Sequence, residues 1–221
     1  YRFVHMMLAS GLTASFLIAG LSAYRMLKGD DKLAPKLALK TATYTAAVLI
    51  PLQIFAGDMH GLNTLEHQPQ KVAAMEGLWD TTEGAPLLLF AIPDEESREN
   101  HFEIPVPNGA SLILTHKKDG KIQGLNDFEG EHPPVAPVFF GFRVMVGMGF
   151  LMLAVSWLGS SYLLRGKSFP LWLKRVFAGM AFSGWIATLA GWYVTEIGRQ
   201  PYLVSGVLRT QEAVTTLPPA N

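Results

Sequence analysis

Four stretches of this chain, residues 3–27, 37–56, 135–164 and 176–194, are apolar with no charged stripe running through them. A helix packed on a soluble core alternates apolar and polar faces with a period of 3.6 residues. Here the apolar residues come in blocks instead. Each block can supply the roughly 20 residues, at about 1.5 Å of rise each, that cross a hydrocarbon core of about 30 Å. The pattern predicts an all-α, polytopic transmembrane helical bundle with four spans. The second block is the weakest, carrying Thr41, Thr43, Thr45 and Pro51, but Thr and Pro are tolerated in spans. Pro51 predicts a kink near the end of that helix.

Between the second and third blocks lies a long polar segment. The chain therefore divides into residues 1–56 (two spans and their connection), 57–134 (a loop), 135–194 (two spans and their connection) and 195–221 (a helix end and tail). Within the loop, residues 92–130 are polar and punctuated by Pro, Asn, Asp and Gly, which predicts loose order.

Charge orients these elements. Arg25, Lys28, Lys32, Lys36 and Lys40 bracket the first connection, and Arg165, Lys167, Lys174 and Arg175 bracket the third. The positive-inside rule makes both connections cytoplasmic, so the loop 57–134 and the tail 195–221 lie outside. Of the 18 acidic residues, 14 fall in the loop, so the net charge of zero conceals a strong asymmetry between faces. No nucleic-acid partner is suggested. The chain starts at Tyr1 and enters an apolar block at once, with no charged n-region or cleavage site. Residues 3–27 read as a span rather than a signal peptide, and the chain as a piece of a longer protein. The absence of cysteine excludes disulfides, thiolate metal sites, iron–sulfur clusters and covalently attached haem.

Candidate chemistry gathers at the helix ends and in the first part of the loop. In QKVAAMEGLW, Lys71 and Glu76 are five residues apart, which on a helix projects them about 140° from one another. That spacing is wrong for a surface ion pair at i,i+4; it suits two groups on different walls of a polar pocket. The alternative is a pair of solvated loop charges. His5 lies at the start of the first block and Met145 within the third, near Gly141, Gly147 and Gly149. A lone His at a helix end or a lone Met is ordinarily interfacial or packing; together they are an axial set suited to a low-spin haem. Arg143, inside a span, needs a partner or must snorkel. Trp192, Glu196 and Arg199 share a helix face, either as an interfacial ion pair with an aromatic anchor or as a carboxylate ligand with a compensating cation. His60, Glu66 and His67 read as structural loop residues more readily than as a metal site.

YRFVHM, GDMHGLNTLEHQP with QKVAAMEG, FRVM and GWYVTEIGRQP occur in the order of the motifs of cytochrome bd quinol oxidase subunit I, and the chain resembles the central part of that subunit. The loop is similar to the short-loop, cyanide-insensitive branch. The resemblance implies that His5 and Met145 bind low-spin haem b and that Glu196 ligates a high-spin haem, its partner being haem b or d. It places Arg143 and Arg199 near haem propionates and gives Lys71 and Glu76 a role in oxidising quinol, ubiquinol or menaquinol. The implied partners are dioxygen, a second oxidase subunit and the lipid of a bacterial cytoplasmic (inner) membrane. Two other classes compete. A haem b anchor of a quinone-linked dehydrogenase is disfavoured because such anchors typically use two histidines, and only His5 lies within a span. A non-redox membrane transporter would carry no haem.

Overall fold

The computed structural model describes residues 1–128 and 130–213. The chain divides into two compact units: Tyr1–His60 with Val144–Ala190, and Gly61–Arg143 with the segment from Gly191 onward. The final part of the predicted tail, 214–221, lies outside the described residues.

The first unit is built from long apolar helices. Helix α1 spans Arg2–Leu27 and α2 Leu33–His67, with α2 contributing as far as His60. Helix α5, Val135–Leu164, belongs to this unit from Val144, and α6, Leu171–Gly179, follows it. Leu12 and Phe16 of α1, Ile50 of α2, Met152 of α5, and Leu173 and Phe177 of α6 form its core. Trp157 Nε1 donates to the Ala47 carbonyl at 3.1 Å. Val48, Phe55, Phe150 and Trp185 point outward and exposed, the inverse of a water-soluble surface. Helices α1, α2 and α5 are long and apolar enough to cross a membrane.

Two boundaries differ from expectation. The fourth apolar block is not one helix but α6 followed by α7, Ser183–Ile197. At the break a Cβ on Gly20 of α1 would fall 2.6 Å from the Ala181 Cβ, and one on Gly184 would fall 2.5 Å from the Thr13 Cα. Small residues let the backbones approach this closely. Turn hydrogen bonds, Ala181 N–H to Ala178 O and Ser183 N–H to Met180 O, keep the polar backbone satisfied through the interruption. Hydropathy is blind to such a break because its residues stay apolar. Helix α2, conversely, continues through Pro51 and eleven residues beyond its apolar block, to His67. Hydropathy falls after Ala56, but nothing stops the helical hydrogen bonds until Gln68, whose successor Pro69 disfavours helical backbone at the residue before it.

The second unit corrects both the all-α reading and the loose loop. Helix α3 is Pro69–Glu76; the strands are β1 Thr82–Glu83, β2 Leu87–Asp94, β3 Glu99–Val106 and β4 Lys121–Ile122, with α4, Gly109–Thr115, between β3 and β4. Three antiparallel pairs form: β1 with β4, β2 with β3, and in the tail β5, Tyr202–Val204, with β6, Leu208–Arg209. The run LLLFAIP at 87–93 is a short apolar stretch bounded by turns, as strands are. Ile122 and Leu125 are isolated apolar residues in polar sequence, yet they are buried, as is Ala110. Ser111 Oγ accepts from Ala85 N–H at 2.7 Å and donates to Gly120 O at 2.6 Å, joining α4 to the turns around it. Averaged composition hides a core made of so few residues.

Candidate functional site

Helix α3 is only eight residues long and is bracketed by Pro69 at its first turn and Gly77, φ 68°, as a left-handed C-cap. Proline pre-sets the entry angle and glycine tolerates the exit. Ala73, Ala74 and Met75 pack with Trp79, Leu125, Val135, Val138 and Val194. This packing draws in the two charged residues of the helix as well: Lys71 is 6% exposed and Glu76 4%. Solvated loop charges they are not. A Cβ on Gly198 would lie 3.0 Å from both Cγ and Cε of Lys71. The stem of the lysine runs past that glycine, and its Nζ donates to the Thr195 carbonyl at 3.4 Å, in the last turn of α7.

Glu76 faces Arg143. The guanidinium Nη2 is 3.4 Å from Glu76 Oε2. Arg143 also donates to the Met75 carbonyl, and to Leu88 O from Nε at 2.9 Å and Nη2 at 2.6 Å. Its guanidinium lies 3.6 Å over the Phe139 ring. The resemblance places Arg143 beside a haem propionate; here its Nε, Nη1 and Nη2 serve two carbonyls and a carboxylate of the second unit. Burial pushes the Glu76 carboxyl above the ordinary carboxylate range, and Arg143 opposes that shift through charge and hydrogen bonding. Next to it, Trp79 Nε1 donates to Asn100 Oδ1 at 3.0 Å, and Asn100 Nδ2 donates to Gly77 O at 2.9 Å. The hairpin is thereby fastened to the end of α3.

A second constellation surrounds His5 in the first unit. Its Nε2 lies 3.2 Å from the Gln53 side-chain amide, and its ring meets that of His60 edge-on at 5.7 Å. A Cβ on Gly57 would fall 3.2 Å from His5 Cε1, so glycine makes room for the imidazole. His5 Nδ1 and Gln53 Oε1 are buried without a hydrogen-bond partner. Gln53 was missed in the sequence and His60 was weighed only with Glu66 and His67, yet Gln53, Gly57 and His60 follow i, i+4, i+7 and line one face of α2, a signal that was present. Met145 is half-buried on α5, and Gly147 and Gly149 nearby each face open space. Among the described residues no hydrogen bond or ring contact joins Met145 to His5. The partnerless imidazole nitrogen of His5 fits a metal ligand, and the open space at Gly147 and Gly149 leaves room for a planar group beside Met145.

Glu196 is in the last turn of α7, its side chain 61% exposed and ion-paired with Arg199. Arg199 Nε is buried without a hydrogen-bond partner. Of the residues weighed for a metal site, His67 turns its Nδ1 to the Asn63 carbonyl at 2.9 Å. Among the described residues no three His, Cys, Asp or Glu side chains gather as a metal would need.

The chain is 32% identical over 227 residues to the cytochrome bd ubiquinol oxidase subunit 1 of Bacillus subtilis (strain 168), covering 97% of this chain and 48% of that protein. It is 27% identical to the cytochrome bd-II ubiquinol oxidase subunit 1 of Escherichia coli (strain K12), covering 98% and 55%. Among solved structures, the bd oxidase from Geobacillus thermodenitrificans matches with a TM-score of 0.87 at 28% identity, over 97% of this chain and 50% of the other. The chain thus spans about half the length of these relatives. A family model described as cytochrome bd terminal oxidase subunit I matches residues 1–221, and the chain belongs to that family.

Proposed function

We propose that this chain is the quinol-oxidising part of a terminal quinol oxidase subunit, set in a bacterial cytoplasmic membrane. In this reading α6 and α7 together make a fourth crossing, and the loop after α2 and the tail after α7 lie on the outer side. The observation that carries the reading is the burial of Glu76 beside Arg143 on a helix that also buries Lys71. A buried carboxylate with a raised proton affinity is a stronger base than an exposed one, and quinol oxidation releases two protons with two electrons. Lys71 would hold a ring oxygen of the quinol, and Glu76 would accept the two hydroxyl protons one after the other, passing the first outward before taking the second as the ring is oxidised. Arg143 keeps its two carbonyl partners whatever the state of Glu76. The carboxyl can therefore gain and lose a proton without freeing the cation. Each proton leaves to the outer side.

His5 and Met145 would hold a low-spin haem b, and Glu196 a high-spin haem whose partner is haem b or d. Haem, when bound, supplies one-electron acceptance and the reduction of dioxygen. His5 contributes the ligand nitrogen, and Gln53 orients the ring from its other side. The amide and the imidazole tautomer can each be reversed to match. A second oxidase subunit and the rest of this one complete the enzyme. The test is a reduced-minus-oxidised spectrum of the full-length oxidase together with quinol-driven oxygen uptake. Haem bands that persist in Glu76→Gln while turnover collapses support the reading. A preparation with no haem bands would favour a transporter and overturn it.

A further inference from the structure

The β2–β3 hairpin carries an apolar face that nothing in the described chain covers. Leu89, Phe90 and Ile92 on β2 and Phe102, Ile104 and Val106 on β3 are all exposed, Phe102 to 78%. Phe90 is paired with Ile104, and the ladder is irregular on either side of that pair. Phe102 falls in the second irregularity and has a φ of 55°. Left-handed backbone is costly for a bulky residue, and such strain tends to persist where a side chain must be aimed. Here it aims a phenylalanine outward. An apolar patch of this kind on a soluble face would be an aggregation liability.

The placement of the hairpin along α5 says what it meets. Glu95, at the tip, accepts from Val135 N–H at 2.7 Å, at the first residue of α5. Five residues further along the helix, the Phe90 ring lies 6.3 Å from that of Phe140. Three further, Arg143 donates to Leu88 O. Strand β2 therefore descends beside the first turns of α5, its polar tip outermost. Phe90 makes its apolar face continuous with the exposed Phe140. Helix α5 has 30 residues, about 45 Å of rise, against a hydrocarbon core of about 30 Å. Counted back from the basic end at Arg165 and Lys167, the excess stands at Val135–Arg143, beside the hairpin. That depth is the headgroup layer, where aromatic residues are favoured and strand edges can still find water.

We propose that the exposed face of the β2–β3 hairpin docks onto the lipid headgroup layer, with Phe90, Phe102 and Ile104 reaching toward the acyl boundary. Acidic residues far outnumber basic ones in this segment, so the surface suits zwitterionic rather than anionic lipid. The docking places an apolar ramp between the bilayer, where a quinol dissolves, and Arg143 with Glu76. It rests on the reading that α5 spans the membrane.

This chain has no cysteine, so single spin labels can be introduced here in the full oxidase, with any cysteines elsewhere in the enzyme replaced, in phosphatidylcholine nanodiscs. Labels replacing Phe102 and Ile104 are expected to collide severalfold more with oxygen than with a water-soluble nickel complex, and a label at Lys118 the reverse. A label at Phe150 reports on the span itself. A label at 102 that behaves like the one at 118 overturns the proposal while the span reading stands. A label at 102 that is immobile and shielded from both reagents overturns it in favour of a protein partner. A water-exposed label at Phe150 removes the span reading and the docking together. Phe102→Ser should also raise the KM for long-chain quinol severalfold in nanodiscs and leave the KM for a short, water-soluble quinol unchanged; equal effects on both would count against lipid docking.

Discussion

Glu76 combines burial, a cation at 3.4 Å and a raised proton affinity, and these fix how it should respond to pH. A base must be deprotonated to act, so quinol-driven turnover should rise with pH through the raised value, at higher pH than an ordinary carboxylate would give. The linkage has the matching sign: the folded protein binds this proton more tightly than the unfolded chain, so the contribution to stability declines as pH rises toward the folded value. Glu76→Gln should remove that limb from the rate profile and lower kcat by about 10²-fold or more. An unchanged profile of oxygen uptake against pH would show that another group takes the proton. At the other constellation, His5→Ala and Met145→Leu should each abolish or convert the low-spin haem band, while Met148→Leu should leave it. Gln53→Leu removes the partner of the His5 ring and should weaken haem retention by about 10–100-fold, the range for outer-shell partners of metal ligands. Haem content measured after dilution checks it. Lys71, Glu76, His5 and Met145 were legible as residues in the sequence. Gln53 was marked only by sharing a face of α2 with Gly57 and His60, and the engagement of Arg143 with Met75 and Leu88 was not legible, because it depends on which segment folds against which.

At the scale of elements, the contact between Lys71 and the last turn of α7 alters what its loss should do. A cation at a helix C-terminus complements the dipole and the unpaired carbonyls there, and the Thr195 carbonyl immediately precedes Glu196. Lys71→Met should therefore raise the KM for quinol and also disturb the high-spin haem signature, whereas Glu76→Gln should spare it. Identical haem spectra in the two variants would mean that the cap does not reach Glu196. Glu196→Ala should abolish oxygen reduction while the low-spin band survives. If the exposed pair with Arg199 is all it provides, the change should cost only about 0–1 kcal/mol of stability and little activity. The close approach of Gly20 to Ala181 makes Gly20→Leu a test of the α1–α6 packing: overfilling a tight contact costs about 1–3 kcal/mol, to be read as a lowered midpoint of thermal inactivation. Helices α1 and α5 were readable from apolar length alone. The true end of α2 was hidden because helical hydrogen bonds outlast hydropathy, and the break between α6 and α7 because its residues are as apolar as their neighbours.

For the molecule as a whole, the distribution of charge and apolarity was set by sequence. Blocks of apolar residues too long for a soluble core, basic residues at two connections and acidic residues concentrated after α2 are properties of composition along the chain, and they dictate membrane insertion whatever the packing. The order of the motifs likewise needed no structure. The fold of residues 68–134 is different in kind. Its strands are short, its core rests on single residues such as Ala110, Ile122 and Leu125, and its registers are fixed by contacts between segments far apart in sequence: Asn100 with Gly77, Glu95 with Val135, Arg143 with Leu88. No local periodicity records such pairings. The sequence by itself determined that Lys71 and Glu76 are charged residues five apart in a segment outside the spans. Only the tertiary structure decided that both are buried, that Glu76 faces a cation, and that its proton is held more tightly than usual. Burial and Coulomb interaction depend on what surrounds a group in space, and that is settled when distant segments meet.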